Sequence, residues 1–145
     1  MYSLIKFILE FKNKNPHYSL SLGVCTTAIN SNKSTKPYVS FPREYKKNNF
    51  YFHCIVFNST EAILLIKKVK LIIKNIFIDI EPKNINFDWK EIITKSEICT
   101  FFPIQPNKIT VDGVMLNFLS LKENKKILVL GSGNLAFSLC SQLQF

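Results

Sequence analysis

The fold class is most clearly indicated by the run Lys126-Ile127-Leu128-Val129-Leu130-Gly131-Ser132-Gly133-Asn134-Leu135-Ala136. Apolar residues typical of a buried strand lead directly into a Gly-x-Gly-x-x-Ala turn, and a segment compatible with a helix follows. This order of strand, glycine turn and helix is the opening of a dinucleotide-binding fold. We therefore predict an α/β protein in which residues 122–145 start a Rossmann-type domain.

Each position of the turn has a physical role in binding a pyrophosphate. Gly131 allows the tight turn out of the strand, and Gly133 lacks the Cβ that would keep a phosphate away from the backbone. Ala136 is small enough for the helix to pack closely on its strand. Free N–H groups near Asn134 and Leu135 would face the phosphates, with the helix dipole behind them. The predicted residues for binding NAD or NADP are Gly131, Ser132, Gly133, Asn134, Leu135 and Ala136.

The acidic residue that reads the cofactor ribose is expected about 20 residues after the glycines. The sequence ends at Phe145, before that position. We therefore expect the chain to be the front portion of a longer enzyme, with an incomplete dinucleotide-binding domain. The alternative is that the motif closes an unusual small domain. The choice between NAD and NADP stays open, because it depends on that acidic residue.

The composition is that of a globular protein with a basic surface. Hydrophobic residues make up 47% of the chain, which is enough for a packed core. The formal charge is +9, from 19 Lys plus Arg against 10 Asp plus Glu, but Arg43 is the only arginine. Nucleic-acid readout favours the forked guanidinium of arginine. We therefore expect no nucleic-acid partner.

The cysteines are scattered and form no metal-binding pattern; they are Cys25, Cys54, Cys99 and Cys140. None belongs to a CxxC pair, so the sequence predicts reduced core cysteines, no metal site and a cytoplasmic protein. No apolar run reaches the roughly 18–20 residues that a membrane span requires, and no membrane partner is expected.

The middle of the chain predicts a βαβ unit. Residues 50–57 are aromatic and β-branched, as in a buried strand. Asn58 and Glu61 form a capping-box pattern, and helical apolar spacing continues to about Lys74. Residues 75–81 form a second strand-like run. This unit predicts a parallel strand pair joined by a right-handed crossover, within an α/β substrate-type domain over residues 1–121.

The remaining segments give shorter patterns. The N-terminal residues 1–11 have the apolar spacing of a helix, and Gly23 marks a bulge within a predicted strand at residues 17–29. The basic run through Arg43, Lys46 and Lys47 predicts a solvated loop. Further predictions are an edge strand at residues 38–41, a helix at 88–95, a strand at 98–104, a turn at 106–108 and a helix at 113–121.

Residues 110–143 resemble the junction between substrate and cofactor domains in the shikimate dehydrogenase and methylenetetrahydrofolate dehydrogenase families. The resemblance lies in Thr110-Val111-Asp112-Gly113-Val114, a helix-length segment and the glycine turn. It implies that Asp112 matches the aspartate that, with a lysine, handles the proton of the substrate hydroxyl. Thr110 stands where the family has asparagine, and the lysine-bearing motif has no counterpart. An aspartate before glycine is also typical of a turn or helix cap.

Other candidate residues are weaker. Asp79 and Glu81 alternate along a predicted strand and could share its carboxyl end, where open α/β sheets bind ligands. Solvated strand-end carboxylates are the alternative. His53 lies in an apolar strand, which favours a core or edge histidine over a catalytic base.

The sequence therefore favours an NAD(P)-dependent oxidoreductase acting on a small hydroxy or oxo metabolite. An S-adenosylmethionine-dependent methyltransferase is an alternative, but Leu130 occupies the place where an acidic residue would favour it. A third reading is a non-catalytic α/β module that docks on a partner subunit or self-associates.

Overall fold

Helices and strands alternate along the chain, which confirms the predicted α/β class. The computed structural model describes residues 1–27, 36–39, 42–98, 100–119, 129 and 134–143. The helices are α1 (Tyr2–Lys14), α2 (Ser59–Val69), α3 (Trp89–Ser96), α4 (Pro106–Leu119) and α5 (Asn134–Leu143). The strands are β1 (Ser19–Cys25), β2 (Tyr38–Val39), β3 (Arg43–Lys46), β4 (Asn49–Ile55), β5 (Ile73–Asp79) and β6 (Phe102–Ile104).

The chain divides into two units, Met1–Ile104 and Gln105–Phe145. The first unit contains the sheet together with α1, α2 and α3, and the second contains α4 and α5, which contact each other. The predicted boundary between residues 121 and 122 lies outside the described residues. None of the helices in the described part of the chain is both long and apolar enough to cross a membrane.

The sheet has the strand order β2-β4-β1-β5-β6, and β3 also pairs with β4. Strand β1 is parallel to both β4 and β5, β6 is parallel to β5, and β2 and β3 run antiparallel to β4. The predicted βαβ unit is confirmed in that β4 and β5 run parallel and are joined by α2. Their expected direct pairing is wrong, because β1 lies between them. Six of the seven residues of β1 are buried. A strand that is covered on both faces belongs in the middle of a parallel sheet.

The strand order reverses at β1. The chain continues from β1 to β4 on one side and then crosses to β5 on the other side. In an open α/β sheet, such a reversal opens a crevice at the carboxyl ends of the two central strands, and ligands bind there. Cys25 and Asp79 are the last residues of β1 and β5.

One face of the sheet shares an apolar core with α1, α2 and α3. Leu22 of β1 lies beside Phe52 of β4 and Ile76 of β5, and all three side chains are buried. The helix residues in this core are Leu4, Ile5, Ile8, Ala62, Leu65, Ile66, Val69 and Ile92. Fully burying one such aliphatic side chain contributes about 1.5–3 kcal/mol, so the core holds the strands that carry the crevice.

Helix α2 begins as predicted and ends earlier than predicted. The Asn58 side chain accepts a hydrogen bond from the Glu61 N–H at 2.9 Å, which confirms the predicted cap. The helix ends at Val69, so its predicted extension to Lys74 is wrong. Ile73 already pairs with Leu20 of β1. A short apolar run fits helical and extended periods alike, and the long-range pairing decides between them.

Two predictions near the sheet are also wrong. The basic segment predicted as a loop forms β3, although all four of its residues are exposed as expected. Its backbone pairs with β4, which gives that strand a second antiparallel neighbour. Gly23 is not a bulge: it is in regular register with His53 and Phe77, and the irregularity lies between Leu20 and Ser21.

Several strand predictions were too long. The described part of the first strand spans Ser19–Cys25 rather than residues 17–29, of which 28 and 29 lie outside the description. The edge strand covers Tyr38–Val39, and residues 40 and 41 are likewise outside it. Among the described residues of the predicted strand at 98–104, Phe102–Ile104 form the strand, and residue 99 lies outside the description.

Helix α4 begins at Pro106, seven positions before the predicted start at Gly113. The predicted turn at residues 106–108 is therefore wrong, because proline at the first helical position has a preset backbone angle and no N–H to leave unpaired. The predicted strand at residues 126–130 lies outside the description except for Val129, which belongs to no helix or strand.

Candidate functional site at the carboxyl edge of the sheet

A buried ion triad occupies the crevice at the end of β5. It consists of Asp79, Glu81 and Lys83. The Lys83 Nζ lies 2.8 Å from Asp79 Oδ2 and 2.7 Å from Glu81 Oε2. The Glu81 N–H donates to Asp79 Oδ1 at 3.0 Å. The Asp79 side chain is 0% exposed and that of Lys83 is 14% exposed, so these charges are held largely away from water.

The triad keeps its lysine charged. Burial alone lowers the pKa of Lys83, but its hydrogen bonds to Asp79 and Glu81 and their negative charges outweigh that effect and raise the pKa. Lys83 is therefore a permanent cation at neutral pH, paired with two carboxylates. The protonated Lys83 ammonium has no free lone pair. It can therefore donate hydrogen bonds and orient other groups, but it cannot act as a base.

The sequence predicted part of this cluster. Asp79 and Glu81 share the carboxyl end of β5, as expected, but Asp79 is fully buried instead of solvated. Lys83 was not predicted as a site residue. The signal that could have identified it is the spacing Asp79-x-Glu81-x-Lys83 directly after an apolar strand, since a lysine there can reach back to both acids.

The loop that carries the triad is tied to the neighbouring elements by Asn84. The Asn84 amide donates to Thr26 Oγ1 at 3.2 Å and to the Phe57 carbonyl at 2.9 Å, and its Oδ1 accepts from the Asn86 N–H at 2.9 Å. Thr26 directly follows β1, and Phe57 follows β4. One buried amide thus connects the loop after β5 to the ends of both other central strands.

The same loop is fixed to the start of α2 through Ser59. The Ser59 N–H donates to the Asn86 carbonyl at 2.8 Å, and the Asp88 N–H donates to Ser59 Oγ at 2.9 Å. Asp88 then caps α3 by accepting from the Lys90 N–H at 2.9 Å. Because these bonds define the course of the loop, Asn84 and Asp88 are held in place before any ligand arrives.

A pocket of about 510 Å³ adjoins the triad. It is lined by Ile80, Glu81, Pro82, Lys83, Asn84, Ile85, Phe87, Asp88 and Trp89. Its volume is within the range of small-molecule sites, which combine apolar walls with a few fixed polar groups. The pocket therefore gives the carboxyl edge of the sheet a place for a small ligand.

Cys25 and His53 lie near the triad, and burial shifts the pKa of each toward the uncharged form. Burial, reinforced by the negative charge of Asp79, raises the pKa of the Cys25 thiol to about 12. The thiol is therefore protonated at neutral pH and is not a nucleophile. Burial lowers the pKa of His53, and the Asp79 charge opposes that shift only in part. His53 is half-buried on β4, in register with Gly23.

Asp112 lies in the second unit, within α4 instead of a turn before it. Its carboxylate is 2.9 Å from the Lys108 Nζ, and the two side chains are 45% and 59% exposed. The pair has the i,i+4 spacing of a surface helix ion pair. Catalysis by Asp112 stays a prediction.

The predicted cofactor-binding residues fall partly outside the description. Gly131, Ser132 and Gly133 lie outside the described residues. Asn134 is the first residue of α5, and Leu135 and Ala136 follow in its first turn. The helix thus begins at the position that the glycine motif predicts. Among the described residues, no group of three or more His, Cys, Asp or Glu side chains is placed to hold a metal ion.

Comparison with known protein families, curated proteins and solved structures gives no significant match for this chain.

Proposed function

We propose that this chain acts in an NAD(P)-dependent oxidoreductase that converts a small hydroxy or oxo metabolite. The observation that carries the proposal is the start of α5 at Asn134, immediately after Gly131-Ser132-Gly133. A helix that starts there leaves the N–H groups of its first turn unpaired, and the positive end of its dipole lies at this N-terminus. This is the arrangement that binds a pyrophosphate.

The first unit supplies the second part of the proposal. Its strand order places the ion triad and the adjoining pocket at the carboxyl edge of the parallel strands, where open α/β sheets bind their ligands. In this assignment, the first unit binds the metabolite and the second binds the cofactor. The cofactor would supply the hydride chemistry, and the residues of the chain would bind and orient the metabolite and the cofactor.

Calorimetric titration with NADH, NADPH and S-adenosylmethionine tests the proposal. We expect one or both dinucleotides to bind and S-adenosylmethionine not to bind. The substitution Gly133→Val should weaken dinucleotide binding by at least about tenfold, because its side chain occupies the space of the phosphate. Gly113→Ala is the matched control, since a Cβ at that position meets nothing within 4 Å.

Three results would contradict the proposal. The first is the absence of dinucleotide binding. Binding of S-adenosylmethionine alone would favour the methyltransferase alternative. Dinucleotide binding that is equally strong in the Gly133→Val variant would show that the glycine turn is not the phosphate site.

A further inference from the structure

The charges around the pocket decide which ligands it can accept. The ionisable groups in its lining are Glu81, Lys83 and Asp88. Lys83 is already paired with Asp79 and Glu81 at 2.8 and 2.7 Å. Counted with Asp79 behind the lining and the Lys90 ammonium over the Trp89 ring, three carboxylates oppose two ammonium groups, which leaves a net negative charge. The pocket is locally acidic in a chain of formal charge +9.

An anionic metabolite does not fit these charges. A carboxylate or phosphate needs cationic donors, and the lysine in the lining is compensated by two carboxylates. Arg43, the only arginine in the chain, belongs to β3 and does not line the pocket. An anion would therefore meet net repulsion, whereas a cation would meet attraction.

Trp89 provides a second feature that suits a cation. Its ring lines the pocket, and the Lys90 Nζ already lies 5.6 Å from the ring centroid. The faces of tryptophan rings attract ammonium groups. Because Lys90 is an exposed side chain of α3, a ligand ammonium can displace it. Ile85, which is 96% exposed and also lines the pocket, offers an apolar surface for a hydrocarbon skeleton.

We propose that this pocket binds a small primary amine, with the ammonium group held by Asp88 and Glu81 and the carbon skeleton against Ile85 and Trp89. The inference rests on the proposed function, because it names an amine-bearing metabolite as the substrate class of the carboxyl edge. The fixed loop supports this selectivity, since its bonds keep the carboxylates in place.

Trp89 is the only tryptophan of the chain, so its fluorescence reports on this pocket alone. The test is a fluorescence titration of the full chain at pH 7 and constant ionic strength. Cyclohexylamine and cyclohexanecarboxylate share the same ring and carry opposite charges at this pH. We expect a saturable change with the amine and none with the carboxylate over the same concentration range. Calorimetry with the same two compounds detects binding that leaves the fluorescence unchanged.

Three variants separate the proposed contacts from a general charge effect. Asp88→Asn retains the helix cap, because asparagine caps as well as aspartate, and should weaken amine binding about fivefold. Lys90→Met removes the competing cation from the Trp89 ring and should strengthen amine binding about threefold. Glu10→Gln removes one exposed carboxylate of α1 and should leave binding unchanged.

The inference would be overturned if the protein preferred the carboxylate or responded equally to both compounds. It would also be overturned if neither method detected amine binding. Unchanged amine affinity in Asp88→Asn would do the same. The titration needs no dinucleotide, so its failure is distinguishable from failure of the proposed function. That second failure would appear as absent NAD(P)H binding in a protein that still binds the amine.

Discussion

At the scale of single residues, Gly23 shows how the sheet admits a bulky neighbour. It lies in the middle of β1, between His53 and Phe77 on the adjacent strands. A Cβ at this position would overlap the hydroxyl oxygen of Tyr51 and lie 2.7 Å from its Cζ. The glycine is therefore required by the close approach of a ring, not by a backbone bulge.

We predict that Gly23→Ala destabilises the protein by about 1–3 kcal/mol, because Tyr51 or the strand must move. Urea unfolding followed by circular dichroism measures the change. Gly113→Ala serves as the control: its Cβ meets nothing within 4 Å, and replacing glycine inside a helix should stabilise by about 0.5–1 kcal/mol. An unchanged free energy of unfolding in Gly23→Ala would mean that the Tyr51 ring can shift without cost.

Among the described lysines of the first unit, replacing Lys83 should lower the free energy of unfolding the most. Lys83→Met leaves the buried Asp79 carboxylate without its closest cation and should destabilise by about 3–5 kcal/mol. Lys95→Met breaks an exposed pair with Glu91 of 2.7 Å and should cost at most about 1 kcal/mol. If urea unfolding gave comparable losses of stability in the two variants, the stabilising role of the buried triad would be contradicted.

The cost of Lys83→Met should also depend on pH. Because the pKa of Lys83 in the folded state is raised above its ordinary value of 10.5, its stabilising effect is complete below 10.5. It is lost as the pH rises through the raised value, since the folded state then releases its extra proton. The stability difference between wild type and Lys83→Met should therefore narrow at strongly alkaline pH. A constant difference would contradict this linkage.

At the scale of elements, the start of α2 was predictable, whereas its end was not. The cap depends on residues three positions apart, so the sequence contains all of its information. The C-terminal end depends on the pairing of Ile73 with Leu20, which lies more than 50 residues away. The predicted loop at Arg43–Lys46 failed for the same reason, because its strand character comes from pairing with β4.

We expect Asn58→Ala to destabilise the protein by about 1 kcal/mol, because the Glu61 N–H loses its acceptor. Asn58→Asp should retain most of the stability, since aspartate caps equally well. Thermal or urea unfolding compares the three proteins. Equal losses in the alanine and aspartate variants would indicate that position 58 acts through packing rather than capping.

At the scale of the whole chain, the α/β class was predictable from alternating patterns, but the order of the strands was not. Nothing in the local sequence of β1 shows that it separates β4 from β5. That order nevertheless creates the crevice, because it brings the ends of β1 and β5 together. Asp79 and Glu81 could be proposed from the strand pattern, and the spacing after them could have identified Lys83. The contributions of Asn84 and Thr26 required the fold.

The measurement that tests the proposed cofactor site most directly is an amide NMR titration of the isotope-labelled protein with NADP⁺ and NAD⁺. We predict chemical-shift changes concentrated at residues 131–136, at the turn and the start of α5, and their loss in Gly133→Val. Saturating dinucleotide that leaves these amides unchanged would contradict the assignment of this turn as the phosphate-binding site.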